Sequence, residues 1–192
     1  MIRMRWVWMT LAGICLSACD SSPEFGTTAD EQGHSAPSAA TITANNYVLD
    51  ELDFSDRQDF EDAKRGLVAS DPELRVKAED GRDVWNMPAY GFIGDSPPGS
   101  VNPSLWRQAQ LNNIHGLFEV TDGIYQLRGY DLSNMTLIEG ETGWIVVDPL
   151  TARETAAAAI RFAFSHLPKK PVVAVIFTHS HLDHALLRRA DL

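Results

Sequence analysis

Three imidazoles and one carboxylate fall within Thr178-His179-Ser180-His181-Leu182-Asp183-His184. Imidazole nitrogen and carboxylate oxygen are both zinc donors. If His179 and His181 lie on extended chain, two-residue alternation puts their rings on one side. Asp183 and His184 follow where the chain bends into a helix, within reach of a second metal beside the first. Two such ions can share a hydroxide whose pKa falls toward neutrality, and that is a nucleophile. The bland alternative is a solvated histidine-rich turn. It accounts poorly for an acid in this pattern directly after an apolar strand.

The elements needed to position these groups are legible upstream. Pro171 leads into residues 172–177, a continuously apolar, β-branched run that predicts a strand buried on both faces. Thr151-Ala152-Arg153-Glu154 reads as a capping box opening an Ala-rich helix that ends near His166. A strand over 144–148 precedes it. Strand, helix, buried strand predicts an α/β layer with its site at the C-terminal end of the strands. Further upstream, residues 118–127 alternate around Thr121-Asp122-Gly123, and residues 135–138 make another strand before the turn Glu141-Thr142-Gly143. Ser104 to Leu111 predicts a short helix with Leu105, Trp106 and Leu111 available for packing. Ser55 is expected to cap a helix over 56–66, with acids early and Lys64 and Arg65 late. A short strand is expected over 84–87. The remaining histidines have simpler roles: His34 in a linker, His115 at a packed helix end, His166 in a last helical turn. Ser96 is not in a nucleophile elbow, and no calcium-binding loop pattern occurs.

Composition sets limits. The 192 residues hold 16 Lys+Arg against 26 Asp+Glu, a formal net charge of -10, which argues against a nucleic-acid partner. Hydrophobic residues make up 44%, enough for a buried core. The two cysteines, Cys15 and Cys19, exclude a disulfide framework and a four-cysteine zinc site. Both sit in an N-terminal stretch that reads as an export signal. Arg3 and Arg5 form its basic start, and an apolar core too short for a membrane span follows. Leu16-Ser17-Ala18-Cys19 resembles a bacterial lipobox, with lipid on the Cys19 sulfur and cleavage before it; an ordinary signal with an incidental cysteine is the alternative. Residues 1–18 are thus read as a lipoprotein signal peptide and 19–46 as a flexible tether. The expected location is a membrane-anchored, exported lipoprotein on the periplasmic or cell-surface side.

The His-x-His-x-Asp-His pattern after a hydrophobic strand resembles the metallo-β-lactamase superfamily, whose fold is an αββα sandwich. That resemblance implies zinc, two ions in a complete site. It implies His179 and His181 as ligands of the first ion, and Asp183 and His184 as ligands of the second, with Asp183 also catalytic. It makes Asp148 an acid that supports the ligands from behind; a turn-capping role suits Asp148 equally. Val101-Asn102-Pro103-Ser104-Leu105-Trp106-Arg107-Gln108, Gly116-Leu117-Phe118-Glu119-Val120 and Arg128-Gly129-Tyr130-Asp131-Leu132-Ser133-Asn134-Met135-Thr136 look like the alkylsulfatase branch. Those zinc enzymes hydrolyse linear, long-chain alkyl sulfates such as dodecyl sulfate to alcohol and sulfate. The cysteine-dependent sulfatase class needs a Cys-x-Pro-x-Arg context, which this sequence lacks.

The resemblance stops at His184, after which only Ala185-Leu186-Leu187-Arg188-Arg189-Ala190-Asp191-Leu192 follow. Residues 47–192 are therefore read as the α/β N-terminal part of a metallo-β-lactamase-like catalytic domain, truncated after the motif. Such a half-built sandwich has an exposed sheet edge and an uncovered face. The truncated chain is expected to be inactive, and a homodimer is expected only for a full-length relative. A frameshift near codons 185–188 fits the abrupt break, and a true early stop is its alternative. A non-catalytic truncated product and another hydrolase of this fold, such as a lactonase, are the competing functions. One consequence is directly testable. In a bacterial host the protein should carry lipid on Cys19 and partition with membranes, and Cys19→Ala should abolish both; an unmodified, soluble mature protein by mass spectrometry would contradict the lipobox reading.

Overall fold

The computed structural model describes residue 31 and residues 33–185. The export signal, Cys15, Cys19, most of the tether and the final residues 186–192 lie outside them. In chain order the elements are α1 (Ala39–Asn46), α2 (Val48–Glu51), α3 (Gln58–Lys64), β1 (Leu67–Ala69), β2 (Arg75–Lys77) and β3 (Asp83–Asn86). A 3-10 turn over Met87–Tyr90 and α4 (Pro103–Asn112) follow. Then come β4 (Gly116–Thr121), β5 (Ile124–Arg128), β6 (Met135–Glu139), β7 (Trp144–Val147), α5 (Arg153–His166), β8 (Val172–Ile176) and α6 (Leu182–Ala185). Among the described residues no helix is long and apolar enough to cross a membrane.

Alternation builds the main sheet. Its order is β1-β4-β5-β6-β7-β8, and β2 with β3 forms a separate hairpin. Strands β4 to β7 are an antiparallel meander. The crossover through α5 then makes β8 parallel to β7. Register places Leu117 opposite Leu127, Leu127 opposite Met135, and Leu137 opposite Val146, so one face collects the apolar side chains. All of these, with Trp144, are fully buried. Helix α5 packs into the same core through Ala156, Ala159, Ile160 and Ala163. Its small residues let the helix lie close to the sheet, while Trp144 fills the far end and donates its indole N–H to Pro168 O at 3.0 Å. The opposite face carries Gln126, Thr136, Ile138, Ile145 and Val147, all only half-buried.

Strand β8 differs from the expectation. Its apolar run predicted burial on both faces, yet it is the last strand of the sheet, with Ile176 48% and Phe177 44% exposed. Among the described residues, only the face toward α5 is covered.

Three smaller expectations are corrected. Helix α3 starts at Gln58, because Ser55 spends its N–H and hydroxyl on Asp53 and Asp56 accepts the Gln58 N–H instead. Helix α5 starts at Arg153 after Ala152, so Thr151 is not its cap; Asp131 and Thr155 accept the Ala152 N–H. Leu105 on α4 is 63% exposed, while its neighbour Trp106 is buried and donates to Gly94 O. The segment read as tether also carries α1, anchored where Asn45 Nδ2 donates to Gly99 O at 3.0 Å.

The helical layer before the sheet is clamped by Arg107. Its guanidinium donates to both Asp59 oxygens at 2.8 and 2.7 Å and to the Phe54 carbonyl, with the Phe60 ring beneath it. The hydrogen bonds from Arg107 hold the Asp59 carboxyl below its usual range. A lowered folded-state pKa contributes stability above the unfolded pKa, about 3.9, and loses it as pH falls through the folded value. Asp59→Asn should therefore flatten part of the acid limb of a pH-stability curve below about pH 4 while lowering stability at neutrality; identical acid limbs in both proteins would show that the clamp contributes nothing.

Candidate metal centre

Parallel pairing of β7 and β8 brings their C-terminal ends side by side, with Val147 opposite Ile176. The ladder runs one step further, where the Asp148 N–H donates to Ile176 O at 2.9 Å. The chain then turns sharply. Asp148 and Leu150 have φ of 51° and 70°, a left-handed conformation uncommon outside glycine. This turn swings the Asp148 carboxylate across to the neighbouring strand. It accepts the Thr178 N–H at 2.8 Å and the Thr178 hydroxyl at 2.7 Å. Burial pushes the Asp148 carboxyl up, but the Thr178 hydrogen bonds and His184 outweigh it and leave the group below its usual range.

Thr178 orients the first histidine. Its hydroxyl oxygen lies 2.9 Å from His179 Nδ1. With the hydroxyl hydrogen committed to Asp148, that oxygen is left to accept from Nδ1–H, and Nε2 keeps its lone pair. His179, His181 and His184 are brought together. The His179 ring centroid lies 4.6 Å from that of His181 and 4.2 Å from that of His184. His179 and His181 are exposed, while Asp183 and His184 are half-buried. His184 Nδ1 stands 3.0 Å from Asp148 Oδ2, an ion-pair distance, yet this buried nitrogen makes no well-formed hydrogen bond. Its Nε2 is 3.3 Å from Asp183 Oδ2.

The donor chemistry fits a transition metal. Imidazoles predominate, one carboxylate accompanies them, and the His184 Nδ1 is a buried polar atom without a proper partner. Among the described residues, however, no three histidine, cysteine, aspartate or glutamate side chains converge closely enough to enclose an ion as they stand. The four motif residues are thus neighbours with suitable donors rather than a finished cage.

Two residues that hold the centre were not singled out from the sequence. Ser133 Oγ donates to the Asp183 carbonyl at 2.5 Å, tying α6 to the β5–β6 loop. Asp131, 8% exposed, accepts from the N–H groups of Leu132, Thr151 and Ala152 and from the Thr155 hydroxyl. It joins that loop to the start of α5. The nearest signal was the block of small and polar residues from Gly129 to Asn134, where Gly129 has a φ of 74° and a Cβ would collide with His115. His115 lies apart from the motif, bonded to Asp71 O and Asn113 O. His166 closes α5 with Nδ1 3.0 Å from Phe162 O. Both have the structural places expected of them. Cys19 is outside the described residues.

Comparison with known proteins follows the same lines. Residues 128–187 match the metallo-beta-lactamase superfamily. The chain is 55% identical over 147 residues to a linear primary-alkylsulfatase of Pseudomonas sp., covering 76% of this chain and 22% of that protein. It is 53% identical over 159 residues to an alkyl/aryl-sulfatase of Saccharomyces cerevisiae, covering 80% and 25% respectively. The solved structure of the stereoselective inverting sec-alkylsulfatase Pisa1 from Pseudomonas sp. superposes with a TM-score of 0.74 at 53% identity, over 78% of this chain and 24% of that one. The chain therefore spans about a quarter of the length of the relatives it matches. The similarity confirms the expected mixed α/β, metallo-β-lactamase-type architecture for the part that is present.

The geometry makes Asp148 the latch between the two strand ends. Asp148→Ala should leave the Thr178 N–H without its acceptor and speed hydrogen exchange at that amide by roughly ten- to a hundredfold, the equivalent of about 1–3 kcal/mol. Unchanged exchange at Thr178 would show that the strand ends are held by something else.

Proposed function

We propose that this chain, which is similar in its aligned part to the alkylsulfatase branch of the metallo-β-lactamase superfamily, is the N-terminal part of the catalytic domain of a zinc-dependent hydrolase of linear alkyl sulfate esters. The observation that carries this reading is the 53–55% identity to alkylsulfatases over more than three quarters of the chain. His-x-His-x-Asp-His stands at the ends of paired strands beside it.

In this proposal His179 and His181 hold one zinc ion, and Asp183 and His184 hold part of a second. Bound zinc would supply Lewis acidity, activating water near neutral pH and stabilising charge on the sulfate oxygens. The protein's own groups do the positioning. Thr178 presents His179 with Nε2 available. Asp148 fixes Thr178 and faces His184. Ser133 fixes the backbone under Asp183. Groups of this kind behind metal ligands typically change affinity ten- to a hundredfold. The exported, lipid-anchored location and an alkyl sulfate partner remain parts of the same proposal.

The chain of 192 residues should bind zinc weakly, because its motif donors are not preorganised by further ligands, and should not turn over dodecyl sulfate. A chimera tests the activity itself. Residues 47–184 placed into the matching segment of the Pseudomonas linear primary-alkylsulfatase should yield a zinc-dependent enzyme that hydrolyses dodecyl sulfate. His181→Ala in that chimera should lower the rate by more than about a hundredfold. A folded, zinc-loaded chimera that cleaves a lactone but no alkyl sulfate would favour the lactonase alternative. Tight stoichiometric zinc and clear hydrolysis by the chain alone would refute its description as a partial site.

A further inference from the structure

The two halves of the histidine motif are held by different parts of the fold. His179 is presented by Thr178, whose hydroxyl is bonded to Asp148 at the end of β7. Asp183 and His184 lie on α6, a helix of four residues. So short a helix does not hold itself in water, because its few hydrogen bonds do not offset the ordering of its backbone. Its own backbone bond runs from the His184 N–H to His181 O at 3.1 Å. What fixes α6 must therefore come from elsewhere in the chain.

Ser133 supplies that contact at one particular peptide. The carbonyl that accepts its hydroxyl belongs to the unit joining Asp183 to His184. A peptide unit is planar, so the direction of this carbonyl sets the plane that holds both Cα atoms and constrains where both side chains start. His179 and His181 lie earlier in the chain and outside that plane. Ser133 is 7% exposed, so its hydroxyl has little water to turn to. Asp183 is only half-buried, so a carbonyl released by Ser133 can turn to solvent. The bond thus contributes direction more than stability. Asp148 touches both halves of the motif, through Thr178 and through His184 Nδ1 at 3.0 Å, so its loss would not separate them. Ser133 touches one half only.

The loop that carries Ser133 is pinned along its length. Gly129 O accepts the Trp85 indole N–H at 2.7 Å. Asp131 is tied to the start of α5 through Thr151, Ala152 and Thr155, and Met135 pairs with Leu127 on β5. Ser133 stands between the last two anchors. We propose that Ser133 is a positioning residue for the second ion, with Asp131 as its anchor, so that the β5–β6 loop and α5 govern that ion without acting on the first. The assignment of ions rests on the zinc reading given above; the grip on the Asp183–His184 peptide does not.

The test is zinc titration of the full chain in detergent micelles, followed by NMR at the ring nitrogens of each histidine and at the Asp183 carbonyl carbon. Ser133→Ala should weaken zinc at His184 by about tenfold, while the constants read at His179 and His181 stay within about twofold. Ser133→Thr, which keeps the hydroxyl, should restore most of the loss. Thr155→Val, nearly isosteric and outside the motif, removes one Asp131 donor and should weaken zinc at His184 by about threefold with the same selectivity. Circular dichroism checks the fold of each variant; should Ser133→Ala unfold, Thr155→Val carries the comparison. Before zinc is added, the Asp183 carbonyl resonance should shift in Ser133→Ala and return in Ser133→Thr. Equal weakening at all three histidines, or no change at His184, would overturn the proposal. An unmoved Asp183 carbonyl would remove the grip itself. A wild-type chain in which no histidine responds to zinc would overturn the zinc reading and the ion assignment with it, and the metal-free carbonyl resonance then decides the grip alone.

Discussion

The centre depends on the parallel pairing of β7 and β8. A parallel pair needs a long crossover, and here the crossover is α5, whose alanines let it lie against the sheet while the two strands stay adjacent. Only in this arrangement do two strands end at the same edge and point their following loops the same way. Asp148 converts adjacency into a fixed geometry. It extends the ladder by its own N–H and reaches across to Thr178 by its carboxylate. The left-handed turn it requires is a local cost that the surrounding hydrogen bonds offset. The same carboxylate also lies 3.0 Å from His184 Nδ1, so the turn and the histidine motif meet at this one side chain.

A second tier of polar contacts carries this geometry outward. Asp131 collects four donors from three segments, which is how a buried carboxylate avoids an uncompensated charge. Through it the β5–β6 loop is joined to the start of α5, and through Ser133 the same loop is joined to α6. The metal motif is therefore seated on three elements rather than on its own strand alone. Arg107 plays the comparable part in the helical layer, where α3, α4 and the chain before them meet on one guanidinium.

The exposed side of the sheet follows from the same architecture. Strand β8 has a composition suited to burial on both faces, and its neighbours Ile145 and Val147 are apolar on the face away from α5. The described residues cover one face only. Apolar side chains on both faces of β7 and β8 are what a two-sheet sandwich demands, and the similarity to a far longer solved alkylsulfatase structure agrees with that demand.

Much of this was legible in the amino-acid order. The strands β4 to β8, the Ala-rich helix and the cluster at its far end follow from periods of 2 and 3.6 residues and from turn residues between them, which are local properties. The motif was legible because its donors are contiguous, so no knowledge of distant contacts was needed to place them together. The burial of β8, the start of α5, and the roles of Asp131 and Ser133 were not legible. Each depends on which partner arrives from elsewhere in the chain: β7 beside β8, the β5–β6 loop at the start of α5, the Asp183 carbonyl for Ser133. The sequence by itself determined the period of each element and the chemistry of the histidine run, because both are written in neighbouring residues. Only the tertiary structure decided which partner each polar group finds, because hydrogen-bond partners across 20 to 50 residues are chosen by topology.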